Sequence, residues 1–313
     1  MGKIAFVFPG QGSQIVGMGK DMYEQNEKVQ QIFHSADTTL DYSLSDLIFN
    51  GPQEKLTLTY HAQPAILTVS YALFEALKGE GISPDYTAGH SLGEYSALVA
   101  SQAIDFKDAV HTVSKRGEFM EEAVPNGQGA MAAILGMDRE TLADITDSVT
   151  KNGEPVQLAN INCPGQIVIS GSATGVEQAG KDAKEQGAKR AISLDVSGPF
   201  HSVLMEPAAS KLQSVLDEID VREAKVPVIS NVTAQPVTAA NDIKEKLIEQ
   251  LYSPVLWEDS VKTLLSLGVD TFIEVGPGKV LSGLIKKIDR SVTIYSVYDS
   301  ESLDKTVEAL RGE

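Results

Sequence analysis

Gly89-His90-Ser91-Leu92-Gly93 sets a serine between two glycines in the pattern G-x-S-x-G, the spacing of a nucleophile on a sharp strand-to-helix turn. A turn that tight presses backbone on backbone at the flanking positions, so neither can carry a Cβ. It holds Ser91 at a helix N-terminus, where unpaired N–H groups and the helix dipole favour a developing anion. The N–H of Leu92 is then one oxyanion donor. The same five residues also suit a plain glycine-rich turn with an N-capping serine. What favours chemistry is the setting, a short strand over 86–89 and a helix over 93–101.

A serine hydroxyl is a weak nucleophile without a base. The chain has five histidines: His34, His61, His90, His111 and His201. His90 adjoins the serine and is expected on the opposite side of the elbow. His34 and His111 lie in helical stretches of mixed polarity, as surface or core histidines do. His61 precedes a helical run and could cap it. His201 sits in Ser197-Gly198-Pro199-Phe200-His201-Ser202, a Gly-Pro turn between two regions of different character, and is therefore the best candidate base.

The elements around these residues alternate. The apolar run 4–8 ends at Pro9-Gly10 and reads as a buried parallel strand, followed by the turn Gly10-Gln11-Gly12-Ser13-Gln14. Residues 63–77 form a helix too apolar all round for a surface position. Between 127 and 197 the order changes to strand 129–136, helix 138–149 capped by Asp138, strands 156–162 and 166–170, helix 174–186 and strand 190–196. That is β-α-β-β-α-β, the ferredoxin-like unit. Afterwards helix 203–219, strand 226–230, helix 242–251, helix 257–267, strand 271–275 and helix 279–288 resume the alternation. The expected fold is α/β with a parallel sheet, a discontinuous large domain over 1–126 and 198–313, and a small domain over 127–197.

Composition removes several function classes. With 313 residues, 42% hydrophobic and 22% charged, the chain has an ordinary globular profile. Asp and Glu number 43 against 26 Lys and Arg, and a formal charge of −17 disfavours nucleic acid as a partner. A single cysteine, Cys163, allows neither an internal disulfide nor a cysteine zinc cage. No run of 18 apolar residues occurs and the N-terminal apolar stretch is too short for a signal, so a cytoplasmic setting away from membranes is expected. The loop at 10–14 fits neither phosphate motif: Ile15 stands where G-x-G-x-x-G needs its third glycine, and Asp21 follows Gly19-Lys20.

Taken together, Pro9-Gly10-Gln11-Gly12-Ser13-Gln14, Gln63-Pro64-Ala65, Gly89 to Tyr95, Arg116, Gly198-Pro199-Phe200-His201-Ser202, Gln250-Leu251 with Pro254-Val255 and Trp257, and Glu274-Val275-Gly276-Pro277-Gly278 resemble the malonyl-CoA:acyl carrier protein transacylases. These include the bacterial fatty-acid synthesis enzymes and the acyltransferase domains of polyketide synthases. The resemblance spans essentially the whole chain. It implies an α/β-hydrolase-like core with a ferredoxin-like insertion, and malonyl-CoA and acyl carrier protein as partners of a chain acting as a monomer. It implies ping-pong transfer without metal or redox cofactor: Ser91 takes the malonyl group, His201 relays the proton, and the backbone N–H groups of Gln11 and Leu92 form the oxyanion hole. Arg116 would pair with the malonyl carboxylate, Gln63 and Phe200 would contact the acyl group, and the backbone carbonyl of Gln250 would orient His201 in place of a triad carboxylate. The side chain of Gln250 reads as no more than a polar helix end.

Two rivals use the same residues: a serine esterase or thioesterase that releases product to water, and a non-catalytic acyl-CoA binder. Because coenzyme A, carrier protein and this chain are all acidic, approach needs a local basic patch. Lys189, Arg190, Lys279, Lys286, Lys287 and Arg290 are the concentrated positive charges, and some of them are expected at the cleft rim.

Overall fold

A computed structural model describes residues 2–125 and 127–312; the expected boundary at 126 and the outer limits 1 and 313 lie outside the described residues. Among the described residues ten strands form two sheets. They are β1 (Lys3–Phe8), β2 (Tyr86–Gly89), β3 (Gly129–Leu135), β4 (Val156–Cys163), β5 (Gln166–Ser172), β6 (Arg190–Ser193), β7 (Val228–Ile229), β8 (Pro236–Val237), β9 (Val269–Val275) and β10 (Thr293–Val297).

The larger sheet has the order β10-β9-β1-β2-β7-β8 and is parallel except for the edge pair β7–β8. Its centre, β1, is buried on both faces, which is why its residues alternate between two apolar cores instead of alternating apolar with polar. Phe6 and Phe8 meet Phe74 edge-on at 6.1 and 6.4 Å, while Ala5 and Val7 belong to the opposite core with Trp257 and Val261. Phe8 pairs with Gly89, so the Pro-Gly loop after β1 and the serine turn after β2 leave the sheet side by side. Adjacent carboxyl ends of parallel strands are where α/β sheets hold their ligands.

The smaller sheet, β4-β5-β3-β6, is antiparallel, and the helices Arg139–Lys151 and Ala173–Glu185 complete the β-α-β-β-α-β order. Asp138 caps the first of these, its carboxylate accepting from the Thr141 N–H at 2.9 Å. The mixed α/β class is as expected. Several details differ: the strand expected over 226–230 is only Val228–Ile229, and the helix expected over 203–219 opens as a 3-10 turn, Val203–Met205, before Glu206–Glu218. β6 stops at Ser193 rather than 196, because Pro199 packs onto Gly129 and pulls the chain off the β3 edge; a methyl on Gly129 would stand 2.4 Å from the proline ring. His61 lies inside the helix Thr59–Gly79 rather than ahead of it, and its Nδ1 bonds the Tyr42 hydroxyl at 3.1 Å. Beyond residue 288, β10 and the helix Ser300–Arg311, with its Asp299 capping box, extend the α/β pattern.

Two helices position the site from behind. Thr59–Gly79 is buried on nearly every side, and Phe106–Glu122 lies against it. The approach is close because Gly117 has no side chain: a methyl there would fall 2.6 Å from the Tyr60 Cα. That proximity turns the neighbouring Arg116 inward. It is 1% exposed although Lys115 beside it stands at the surface.

Candidate active site

The serine turn is built as the spacing requires. A methyl on Gly89 would lie 1.9 Å from the Gly93 carbonyl, and one on Gly93 would lie 2.0 Å from the Phe8 oxygen. Ser91 itself has φ 52°, a left-handed conformation uncommon outside glycine, and the helix Gly93–Ala100 starts directly behind it. The glycines around Gln11 serve two different ends. Gly10 is needed because its Cα passes the elbow, where a methyl would meet the His90 oxygen at 2.4 Å; Gly12 is needed for its φ of 101°.

His201 meets the serine from the other side. Its Nε2 is 2.8 Å from Ser91 Oγ, and its Nδ1 is 2.7 Å from the Gln250 carbonyl oxygen. A carbonyl only accepts, so the ring carries its proton on Nδ1 and leaves Nε2 free to accept from the serine. Burial, reinforced by the nearby charge of Arg116, lowers the His201 pKa to about 3. The ring is therefore neutral at ordinary pH. Among the described residues no carboxylate bonds His201; Asp195 lies elsewhere on the cavity wall.

Arg116 completes the set. Nη2 donates to Ser91 Oγ at 3.1 Å and to Gln250 Oε1 at 2.9 Å, while Nη1 donates to Gln63 Oε1 at 2.8 Å. Its Nε–H has no partner among the described residues, and the Tyr95 ring lies 5.6 Å away. No acidic side chain forms an ion pair with it among those residues, which leaves a buried cation beside the nucleophile with unspent capacity for an anion.

These groups open onto a cavity of about 180 Å³ whose wall includes Gln11, Leu92, Met120, Met131, Asn160 and Phe200. Neither the Gln11 nor the Leu92 N–H has a partner among the described residues. Gln63 is fully buried behind Arg116 and bonds it without reaching the cavity wall, while Phe200 faces the cavity. His90 also lines the cavity, but its Nε2 is engaged by Asn162 Oδ1 at 2.8 Å and not by Ser91, and His34 and His111 are exposed. None of the six concentrated lysines and arginines lines this cavity. Several are engaged elsewhere, Lys286 on the Val292 oxygen, Lys287 on Gln166 and Lys279 over the Tyr298 ring.

Sequence reasoning missed three supporting side chains and undervalued a fourth. The Gln250 side chain does end a helix, Ala240–Glu249, as expected, but it is fully buried and central rather than merely polar. Its Nε2 donates to the Ser91 oxygen at 3.0 Å and to Glu94 Oε2 at 2.6 Å. Asn231 accepts from the Ser91 N–H at 2.7 Å and donates to the Gly89 oxygen at 2.6 Å, clamping the elbow from a loop far along the chain. Glu94 is buried beneath both, and desolvation raises its pKa to about 7 against the opposing hydrogen bonds and the Arg116 charge. Gln157, on β4, donates to the His201 oxygen at 3.2 Å and accepts from the Val203 N–H at 3.0 Å. An asparagine or glutamine alone carries no motif, so only its folded neighbours disclose it.

Among the described residues, no group of three or more His, Cys, Asp or Glu is placed to hold a metal ion, and no helix is long and apolar enough to cross a membrane. The Acyl transferase domain family matches residues 5–303. A malonyl CoA-acyl carrier protein transacylase of Bacillus subtilis (strain 168) is 63% identical over 313 residues, covering 100% of this chain and 99% of that protein. The crystal structure of an acyl carrier protein S-malonyltransferase from Vibrio cholerae superposes with a TM-score of 0.95 at 46% identity, covering 97% of this chain and 99% of that one. A malonyl-transacylase solved in complex with its type II PKS acyl-carrier protein gives a TM-score of 0.95 at 43% identity, over 98% and 99% of the two chains.

Proposed function

Since this chain belongs to the acyl transferase domain family, we propose that it moves the malonyl group from malonyl-CoA to the phosphopantetheine thiol of acyl carrier protein, as an [acyl-carrier-protein] S-malonyltransferase feeding fatty-acid synthesis in the cytoplasm. The observation that carries this reading is the buried Arg116 guanidinium 3.1 Å from Ser91 Oγ, a fixed cation where an acyl group with its own carboxylate would sit. The names of its full-length relatives support the same substrate and acceptor.

In the first half-reaction Ser91 Oγ attacks the thioester carbonyl while His201 Nε2 takes its proton. The oxyanion is met by the free N–H groups of Gln11 and Leu92, donors of a kind worth about 10²–10³ in rate. Collapse of the tetrahedral intermediate expels the coenzyme A thiolate, which receives the proton from His201. The carrier thiol then gives its proton to His201, attacks the malonyl-serine ester, and regenerates the Ser91 hydroxyl. No redox cofactor is required, because the group transferred stays at one oxidation level throughout.

Arg116 does more than select. In the free site its charge helps hold His201 neutral. A malonyl carboxylate paired with the guanidinium cancels that charge, so the base gains proton affinity when the acyl group that carries a carboxylate is bound. Acetyl brings no such compensation and leaves the buried cation unpaired. Phe200, on the cavity wall beside the base, narrows the space open to a branched acyl chain. The small unit over 127–197 supplies the opposite wall through Met131, Asn160 and Leu194.

The test is to incubate the protein with radiolabelled malonyl-CoA, with and without holo acyl carrier protein. Malonyl-carrier protein should form, and without the acceptor the label should remain on Ser91. Free malonate released equally fast in both reactions would show a hydrolase instead.

A further inference from the structure

We propose that Glu94 is a positioning residue for acyl selectivity, acting through Gln250 on the Arg116 guanidinium and through Asn231 on the Ser91 elbow. The inference rests on the malonyl-transfer reading above and adds to it the group that sets the geometry of the carboxylate clamp.

Glu94 is 2% exposed and touches neither the cavity nor the reacting atoms. One carboxylate oxygen, Oε2, accepts from Gln250 Nε2 at 2.6 Å and from the Asn231 N–H at 3.2 Å. Gln250 is a primary amide whose two ends are nearly the same shape, and nothing in its own chemistry says which end faces Arg116. Two acceptors on one side decide it, the Glu94 carboxylate at 2.6 Å and the Ser91 oxygen at 3.0 Å, and Glu94 is the nearer. The Gln250 NH₂ must turn to these acceptors, which leaves the carbonyl Oε1 to accept from Arg116 Nη2 at 2.9 Å. With the amide reversed, an NH₂ would confront a guanidinium, donor against donor, and Arg116 would lose one of its three partners. The same carboxylate oxygen fixes the Asn231 backbone, whose side chain holds the Ser91 N–H at 2.7 Å and the Gly89 oxygen at 2.6 Å. The charged group on this side is Arg116, and Tyr95, beside Glu94 on its own helix, and His201, beyond Gln250, complete the titratable set. Burying a carboxylate without an ion-pair partner is costly, and such groups persist where they specify a geometry.

The prediction concerns a ratio and not a rate. Glu94→Leu removes the nearer acceptor, so kcat/KM for malonyl-CoA should fall at least tenfold further than kcat/KM for acetyl-CoA. Glu94→Gln can still present a carbonyl oxygen to Gln250 and Asn231, and should restore the malonyl/acetyl ratio to within about threefold of the parent. Glu94→Asp keeps the charge but draws the acceptor back by one methylene; its ratio should fall at least threefold, and it decides the matter if Glu94→Leu does not fold. Equal losses for both acyl groups in Leu and Asp, or no loss in either, would mean a merely structural role and overturn the proposal. So would a Glu94→Gln ratio as low as that of Glu94→Leu. Absence of malonyl transfer in the unsubstituted protein would instead refute the activity itself, so the two failures are distinguishable.

Discussion

His201 and Ser91 meet at 2.8 Å with both backbones in the left-handed region, at φ 58° and 52°. Neither is a glycine, so each conformation costs on the order of 1 kcal/mol or more and must be held by its surroundings. Ser91 is held by the elbow and Asn231; His201 is held by the Leu251 oxygen on its N–H and by Gln157 on its carbonyl. Strain at two contacting residues, from segments 110 positions apart, is the mark of a geometry selected for chemistry rather than for stability.

The lowered pKa of His201 gives a pH prediction. An ordinary imidazole would lose half its base form near pH 6.5. With the folded value at about 3, kcat/KM for malonyl-CoA should stay within about twofold from pH 8 down to pH 5.5. Stability carries the opposite burden. Between pH 6.5 and about 3 the unfolded chain binds a proton at this ring that the folded chain refuses, so stability falls on acidification by at most about 1.4 kcal/mol per pH unit for this one group. His201→Gln should show a shallower decline in unfolding free energy over that window. A kcat/KM halved near pH 6.5 would place the working base elsewhere or leave it solvated.

Arg116→Ala should cut kcat/KM for malonyl-CoA by about 10²-fold or more, the usual consequence of stripping one partner from a buried charged contact. Acetyl-CoA should gain relative to malonyl-CoA in the same variant. Arg116→Lys should recover only a small part of the loss, because an ammonium on a flexible stem cannot bond Gln63, Gln250 and an acyl carboxylate together. Steady-state comparison of the two substrates checks this, and an unchanged ratio in Arg116→Ala would remove the guanidinium from substrate binding.

What the sequence discloses depends on how local the physics is. The elbow is legible because its requirement is contained in five residues: tight turn, two bare Cα atoms, one hydroxyl. His201 is legible at one remove, from a Gly-Pro turn between regions of differing pattern. Arg116 is not legible from pattern alone. Next to Lys115 on an amphipathic helix it looks solvated, and it is buried only because Gly117 lets that helix close on Tyr60, far away in sequence. Glu94 likewise resembles an ordinary first-turn acid, and Asn231 an ordinary loop residue, until the sheet brings them together. The basic residues show the converse: they cluster in sequence, yet none of the six lines the cavity, because adjacency in sequence says nothing about which face of the molecule a surface segment occupies.

The elbow glycines should tolerate no side chain. In Gly89→Ala the added methyl would meet backbone at 1.9 Å, and backbone cannot rotate away as a side chain can. Overpacking of that kind costs typically 1–3 kcal/mol and more where the frame is rigid, so Gly89→Ala and Gly93→Ala should each lose at least about 3 kcal/mol of unfolding free energy. Gly79→Ala, at an open helix end, should change it by less than about 1 kcal/mol. Urea unfolding of the three variants separates these outcomes, and a Gly89→Ala protein as stable as its parent would mean the turn is looser than drawn.

Gln157 offers the most direct test of whether the smaller sheet takes part in catalysis. It lies on β4, and its carboxamide spans the backbone on both sides of the base: Nε2 to the carbonyls of His201 and Tyr252 at 3.2 Å each, Oε1 from the Val203 N–H at 3.0 Å. No atom of it lines the cavity, so its influence on substrate passes through the backbone it holds, His201 first. Gln157→Ala frees a residue held in the left-handed region, and the imidazole should then spend part of its time out of line with Ser91. Misplacements of this kind lower kcat by as much as about 10²; with the Gln250 carbonyl and the Leu251 contact still in place, a fall of about 5- to 30-fold is expected, with KM for malonyl-CoA changed less than twofold. Gln157→Glu keeps the acceptor for Val203 and loses the donor to His201, so its kcat should lie near that of Gln157→Ala. Stopped-flow acylation of each variant measures this step directly, and parent-like rates in both would show that the base is fixed without the smaller sheet.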